Sequence, residues 1–260
     1  MAASAGSSGR GGRNVVCVVP CYNVAALCGA VVQEACRHGD RVIAVDDGSV
    51  DGTGDVLRSV SRESGGRVRV IALASNQGKG AALLAAFRAA LEGPAFEVLV
   101  TLDGDRQHRP SDIPLLVDAW SEGADLVIGV RSLIRTMPLR SRIGNSITSF
   151  FLSRLYRDCP ADTQSGFRAI DRGFLEEIVA RVDGRRYETE MRILLLALTG
   201  GRPIASVPIP TLYLDGNRSS HYRPLGDSLR ILRTVLRWAR PARAGAGSRR
   251  KIQSFPREIP

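Results

Sequence analysis

The chain has 260 residues, 44% hydrophobic and 24% charged. That is globular composition, generous for one domain and tight for two, and it excludes wholesale disorder. The formal charge of +10 is a property of the end of the chain. Residues 218–260 hold eleven basic and two acidic residues, whereas residues 14–217 hold 23 basic and 24 acidic, which argues against a body devoted to nucleic acid.

The predicted elements alternate. Residues 1–13 lack the apolar core of a secretory signal and read as an unstructured leader. Val15–Pro20 is a strand ended by proline, Val24–His38 a helix, and Arg41–Asp46 a strand running into the turn DDGSVDGT. Asp51–Glu63 reads as a helix, Arg67–Leu73 as a strand, Gly78–Leu91 as an Ala-rich helix and Phe96–Leu102 as a strand. Ser111 is a plausible N-cap for a helix ending at Glu122, and Asp125–Gly129 is a fifth strand. Arg140–Arg157 reads as helical, Asp162–Ile170 as a polar loop entering a short strand, and Tyr187–Thr199 as a helix. Ile204–Leu214 is extended, and Leu225–Ala239 is a last helix. The alternation predicts an α/β fold, a mostly parallel sheet flanked by helices, as one domain over residues 14–224. An amphipathic helix and basic tail follow over 225–260.

The longest apolar run at a predicted helix, Ile193–Leu198, falls far short of the ~20 residues that span a bilayer. The five cysteines, at 17, 21, 28, 36 and 159, fit no common zinc spacing. They read as buried free thiols in a reducing cytoplasm.

Ligands on such sheets bind at the carboxyl ends of the strands, and there the polar residues gather: Pro20–Asn23, Asp46–Asp51, Asn76–Lys79 and Asp103–His108. In LDGDRQH, Asp103 and Asp105 suit a hard divalent cation, Mg²⁺ or Mn²⁺, with Gln107 or His108 as a further ligand or orienter. Such a cation serves a nucleotide diphosphate that leaves as a polyanion. Asp47 is placed to accept from a base or ribose hydroxyl, with Gly48 and Ser49 turning the backbone towards the ligand. Equally, DDGSVDGT reads as an Asx-rich turn capping the next helix. Asn76–Gly80 opens a helix beside Lys79, a phosphate neighbour, but it lacks the GxxxxGK[ST] pattern of a P-loop. Lys79 is the only lysine before Lys251.

VVPCYNVA, VDDGSVDGT, NQGKGAA and LDGDRQHRPSDIP, in this order, resemble the nucleotide-sugar glycosyltransferases of GT-A fold, family two. DTQSGFRAI and VPIPTLYLDGNRSSHYRP are similar to the branch of dolichyl- and polyprenyl-phosphate mannose or glucose synthases, so the resemblance covers residues 14–230. It implies a nucleotide site built from Pro20, Tyr22, Asn23, Asp47, Gly48, Ser49, Lys79 and Asp103, and a metal site of Asp103, Asp105 and Gln107. It implies that Arg131, in Gly129-Val-Arg131, faces the acceptor phosphate, with Ser165 and Arg168 near donor sugar and acceptor. Val24 stands where the family usually has Glu, and Gly104 and Arg106 fill the variable places of its metal motif.

The donor implied is GDP-mannose or UDP-glucose and the acceptor a polyprenyl or dolichyl phosphate. A lipid phosphate is already an anion at neutral pH, so it needs aligning cations rather than a base. Arg131, Arg168, and Arg140 or Arg142 are the candidates. A hydroxyl acceptor, on a soluble sugar, protein or small molecule, would require a carboxylate base, with Asp162, Glu188 and Glu190 first to test. Direct displacement inverts the anomeric configuration. Arg218 and His221 lie in a segment suited to close as a lid.

On the last helix, Leu225, Leu229, Leu232 and Leu236 share an arc, flanked by Arg230, Arg233, Arg237 and Arg240. Its expected partner is an anionic membrane surface or a membrane-protein subunit, which makes the protein cytoplasmic and peripherally membrane-associated. A nucleotidyltransferase shares the sheet-plus-aspartate logic, but the DTQSGFR loop speaks against it.

Overall fold

The computed structural model describes residues 13–131, 152–156, 159–184 and 188–210. Seven strands, β1 (Val15–Cys21), β2 (Arg41–Asp46), β3 (Val68–Ala72), β4 (Val98–Thr101), β5 (Leu126–Arg131), β6 (Arg168–Asp171) and β7 (Ile204–Ile209), form one sheet. Its order is β3-β2-β1-β4-β6-β5-β7. Every pairing is parallel except those of β6, which runs antiparallel to both β4 and β5.

Helices cover both faces: α1 (Ala25–His38), α2 (Thr53–Glu63), α3 (Lys79–Leu91), α4 (Ile113–Ser121), α5 (Arg172–Arg181) and α6 (Glu188–Thr199). The period-two pattern of β1 sorts its side chains. Val16 and Val18 enter a layer with Phe87, Phe174 and Leu194, while Cys17 and Val19 enter the opposite layer with Cys28, Leu57 and Leu116. Burial on both faces explains why the strands read as near-continuous apolar runs.

β1 continues one residue past Pro20, where the sequence suggested a stop. The reason is the ladder. Val18 O accepts from Leu102 N and Cys21 O accepts from Asp47 N, so Pro20 faces the β4 side. Pairing with β4 has already ended there, at Val18, and the missing N–H costs no sheet bond.

Ser111 is not an N-cap. Pro110 opens a 3₁₀ turn through Asp112, and α4 starts at Ile113 without a side-chain cap. β5 runs on to Arg131, beyond the expected Gly129, because β7 pairs along its whole length. α5 was not anticipated, although Asp171 caps it by accepting from Gly173 N at 2.8 Å and Phe174, Leu175 and Ile178 give it a helical stripe. Of the helix expected over Arg140–Arg157, residues 152–155 are described and are helical. Tyr187, Thr211–Leu214, Leu225–Ala239, the leader residues 1–12 and the basic tail lie outside the described residues.

Candidate active site

The sheet order places β1 between β2 and β4, so the loops after β1, β2 and β4 open at one edge, where the order changes direction. β6 adds to that edge by running backwards. Thr101, the last residue of β4, pairs with Arg168, the first of β6, so the loop 162–167 arrives beside the Asp103–His108 loop. Thr101 Oγ1 ties the two by donating to Gly166 O at 2.7 Å. Arg131, at the end of β5, lies on the same edge.

The loops after β1 and β2 are stitched together. Asn23 adopts φ 51°, its N–H donates to Ser49 Oγ at 3.0 Å, and its Oδ1 accepts from Val50 N at 3.0 Å. Thr53 Oγ1 accepts from Val24 N at 2.9 Å, and Asp51 accepts from Ala25 N at 3.0 Å. DDGSVDGT thus caps α1, the helix before it, as well as leading into α2. These caps satisfy helix-start donors that Val24 cannot serve with its own side chain. Gly48 sits at φ 67°, where a Cβ would meet the Ser75 backbone, so the close crossing of the loops after β2 and β3 requires glycine there.

Asp47 is buried. Its two carboxylate oxygens accept from Gln77 N and Gly78 N, each at 2.8 Å. The two backbone amides just before α3 are therefore taken by an internal carboxylate. Asp47 shapes the loop ahead of Lys79. Pro20 and Tyr22 are half-buried at the end of β1.

Lys79, the first residue of α3, carries a cation at the positive end of a helix dipole. Two carboxylates hold it there: Nζ lies 2.5 Å from Asp103 Oδ1 and 2.9 Å from Glu190 Oε1. Burial alone would lower its pKa, but the Asp103 and Glu190 charges outweigh that and hold it well above the usual lysine range. Asp103, which burial alone would raise, is held far below the carboxylate range by Lys79 and then by His108. His108 Nε2 is 3.5 Å from Asp103 Oδ2, and the imidazole stacks on Phe167 at 5.3 Å. Gly166 closes over this group. A Cβ there would come within 2.6 Å of Lys79 Nζ, 2.9 Å of Asp103 Oδ2 and 3.0 Å of Glu190 Oε1.

Asp105 has the opposite electrostatics. Burial, then the Asp103 charge, raise its pKa, and among the described residues it makes no ion pair; its Oδ1 accepts from Gln107 N at 3.1 Å. A carboxyl in this state gains from a cation. No three His, Cys, Asp or Glu side chains form a ready cage among the described residues. Two carboxylates and the Gln107 amide nonetheless fit a hard cation that takes its other oxygens from water and phosphate.

Arg131 and Asp162 form a two-point pair, Nε to Oδ2 at 2.6 Å and Nη2 to Oδ1 at 3.1 Å. Asp162 is fully buried, and although burial alone would raise it, Arg131 lowers its pKa. Arg168, at the start of β6, is buried. It is 1% exposed, and it donates to the carbonyls of Ser165 at 2.8 Å, Glu190 at 2.6 Å and Thr163 at 3.1 Å. These three bonds to carbonyls organise the loop 163–165. Ser165 is likewise fully buried, its Oγ accepting from Phe167 N at 3.4 Å.

The edge thus brings together Asp47, Gly48, Ser49, Lys79, Asp103, Asp105, Gln107, Arg131, Asp162, Ser165 and Arg168. Arg140, Arg142, Arg218 and His221 lie outside the described residues. Glu190 is the residue whose partnership sequence reasoning missed. The signal was a lone lysine in the chain body and an acidic helix start far away in sequence.

The mostly parallel seven-stranded sheet flanked by helices, with two aspartates at its carboxyl edge, is a GT-A-like glycosyltransferase fold. The description "Glycosyl transferase family 2" matches residues 16–179, and the chain belongs to that family. It is 34% identical over 204 residues to polyprenol monophosphomannose synthase of Mycolicibacterium smegmatis, covering 74% of this chain and 75% of that protein. It is 30% identical over 215 residues to UDP-N-acetylglucosamine–dolichyl-phosphate N-acetylglucosaminyltransferase of Methanococcus voltae, covering 76% and 85%. Glucosyl-3-phosphoglycerate synthase of Mycobacterium tuberculosis, solved with Mn²⁺, UDP and glucosyl-3-phosphoglycerate, shares the fold with TM-score 0.63 at 22% identity, covering 87% of this chain and 80% of that one.

Proposed function

We propose that this glycosyltransferase moves a hexose, mannose or glucose, from GDP-mannose or UDP-glucose to a polyprenyl or dolichyl phosphate, with inversion and with Mg²⁺ or Mn²⁺. The observation that carries the reading is the state of the site's carboxylates other than Asp105, which is given to the cation. Asp162 is locked to Arg131, Glu190 and Asp103 to Lys79, and Glu188 lies 3.5 Å from Arg192. A hydroxyl acceptor needs a carboxylate free to take its proton. A phosphate acceptor arrives already ionised and needs none. The names of the two curated relatives support the same acceptor class.

Asp103, Asp105 and Gln107 would hold the cation, which supplies charge to stabilise the departing nucleotide diphosphate. Arg131 supplies a fixed guanidinium, oriented by Asp162, at the edge where a phosphate nucleophile must align. Arg168 keeps the loop 163–165 in place beneath it. Arg140 and Arg142 remain proposed acceptor contacts, and Arg218 and His221 a proposed lid. No helix among the described residues is long and apolar enough to cross a membrane, and the segment 225–239 is proposed to bring the enzyme to the lipid-borne acceptor.

The test is a panel of nucleotide sugars with Mn²⁺ or Mg²⁺ and short polyprenyl phosphate, with soluble sugars and phosphoglycerate as rival acceptors. Lipid-linked hexose with the β anomer by NMR is expected. Transfer to a soluble acceptor alone would overturn the acceptor class, and retained configuration would overturn direct displacement. Asp105→Ala should abolish transfer; full activity in that variant would remove the metal assignment.

A further inference from the structure

The metal motif contains an internal cation. Asp103, which the proposed function gives to a divalent ion, already carries the ammonium of Lys79, and that ammonium is also paired to Glu190 from a separate helix. Three features make this a built arrangement. Lys79 stands at the start of α3, where the helix dipole disfavours a cation. Glu190 is buried in the first turn of α6, where an acid is favoured. Gly166 leaves room for all three side-chain ends and for nothing larger. His108, facing the other oxygen of Asp103, is the remaining neighbour of that carboxylate. Asp105, two residues on, has no such partner among the described residues.

We propose that Lys79, positioned by Glu190, is a placeholder for the divalent cation, so that metal entry is conditional on the nucleotide diphosphate. The inference rests on the metal reading given above. In the free enzyme the ammonium competes with a cation for Asp103. Displaced from Asp103, it has a new anion to meet only when a diphosphate is present. The same lysine therefore opposes metal binding to the empty enzyme and favours it in the nucleotide complex. Glu190 is a positioning residue here, acting through Lys79.

The sign alone is not diagnostic, because removing a positive charge beside any pair of carboxylates strengthens cation binding through net charge. The experiment separates the two effects. Free Mn²⁺ is titrated against full-length enzyme by its electron paramagnetic resonance signal, without and with UDP or GDP. Lys79→Met is expected to bind Mn²⁺ alone at least about fivefold more tightly than wild type, a coupling of ordinary size. The enhancement of Mn²⁺ affinity by nucleotide should shrink by a similar factor.

The double variant Lys79→Met/Glu190→Gln restores the cluster's net charge and removes the risk that two unpaired carboxylates unfold the protein. It should keep the tighter binding, since Asp103 still lacks its competitor. The proposal is overturned if Lys79→Met binds Mn²⁺ no more tightly, or if the double variant returns to the wild-type value. If wild type and both variants bind no Mn²⁺ even with nucleotide, the metal reading falls and this proposal with it. If wild type binds Mn²⁺ with nucleotide and Lys79→Met changes nothing, the placeholder alone fails.

Discussion

Arg131 and Asp162 illustrate how one pair sets both chemistry and stability. The guanidinium is oriented by a carboxylate that is itself fully buried. Asp162→Asn keeps the shape and removes the charge, leaving Arg131 without its two-point partner. Breaking a buried pair from one side costs about 3–5 kcal/mol, to be measured by urea denaturation. The pH dependence follows from the sign of the shift. The folded-state pKa of Asp162 is lowered, so the unfolded chain binds more protons in the acid range. The pair's contribution is fully present above the unfolded carboxylate value of ~3.9 and is lost as pH falls through the lower folded value. The stability gap between wild type and Asp162→Asn should therefore be constant near neutrality and narrow below about pH 4. A gap that stays unchanged at low pH would contradict this. The loop that carries Asp103 and Asp105 at the end of β4 was legible in the sequence. The sequence did not show that the Asp47 carboxylate meets the Gln77 and Gly78 amides, or that the Arg168 guanidinium meets three carbonyls. Spacing tells which loop a residue occupies but not which way its head group points.

The helices show how loop chemistry supports elements other than their own neighbours. α1 has no side-chain cap from its own N-cap residue. Its first donors are met by Thr53 and Asp51, about 26 to 29 residues away. Thr53 is fully buried, and its Oγ1 also donates to Asp51 Oδ1 at 2.6 Å. Thr53→Val preserves volume but strands the Val24 N–H in the interior, at a cost of about 1–3 kcal/mol. Urea midpoints and hydrogen exchange at the start of α1 read this out; protected amides and unchanged stability would remove the capping role. Most element types were legible because burial on both sheet faces and helical apolar stripes are strong local signals. Their ends were less so: β1 continues through proline where a neighbouring strand stops, and β5 is prolonged by its pairing with β7. α5 escaped because its cap and stripe are short and follow a strand without a turn. The placement of β6 depended on pairing between distant segments, which local pattern does not encode.

At the scale of the molecule, charge and chemistry are separated along the chain. The body over residues 14–217 is nearly neutral, and the surplus lies beyond it. The proposed membrane role of residues 225–239 predicts that replacing Arg230, Arg233, Arg237 and Arg240 by Gln weakens binding to anionic vesicles by roughly 1 kcal/mol per arginine. Transfer to a water-soluble short-chain prenyl phosphate should be unchanged. Undiminished co-sedimentation with vesicles would rule out the attachment. The cysteines agree with the reading of free thiols: Cys17, Cys21, Cys28 and Cys36 are buried, Cys159 is half-buried, and all five are unbridged. Burial raises the Cys159 thiol to about 11.

The reversed direction of β6 has one more consequence, and it concerns how such an enzyme changes its customers. β5 leaves the sheet and β6 re-enters it at the same edge, side by side. Ile128 pairs with Arg168, so the segment between β5 and β6 begins and ends on neighbouring strands. Its last residues belong to the core, because Gly166 O accepts from Thr101 Oγ1 and Phe167 stacks on His108. We propose that the donor half acts as a socket and residues 132–161 as an interchangeable fitting. Replacing residues 132–161 by the corresponding stretch of a relative with a different acceptor should transfer acceptor preference while leaving the KM for the nucleotide sugar within a few-fold. A graft that alters donor affinity as much as acceptor choice would mean that the two halves are not separable.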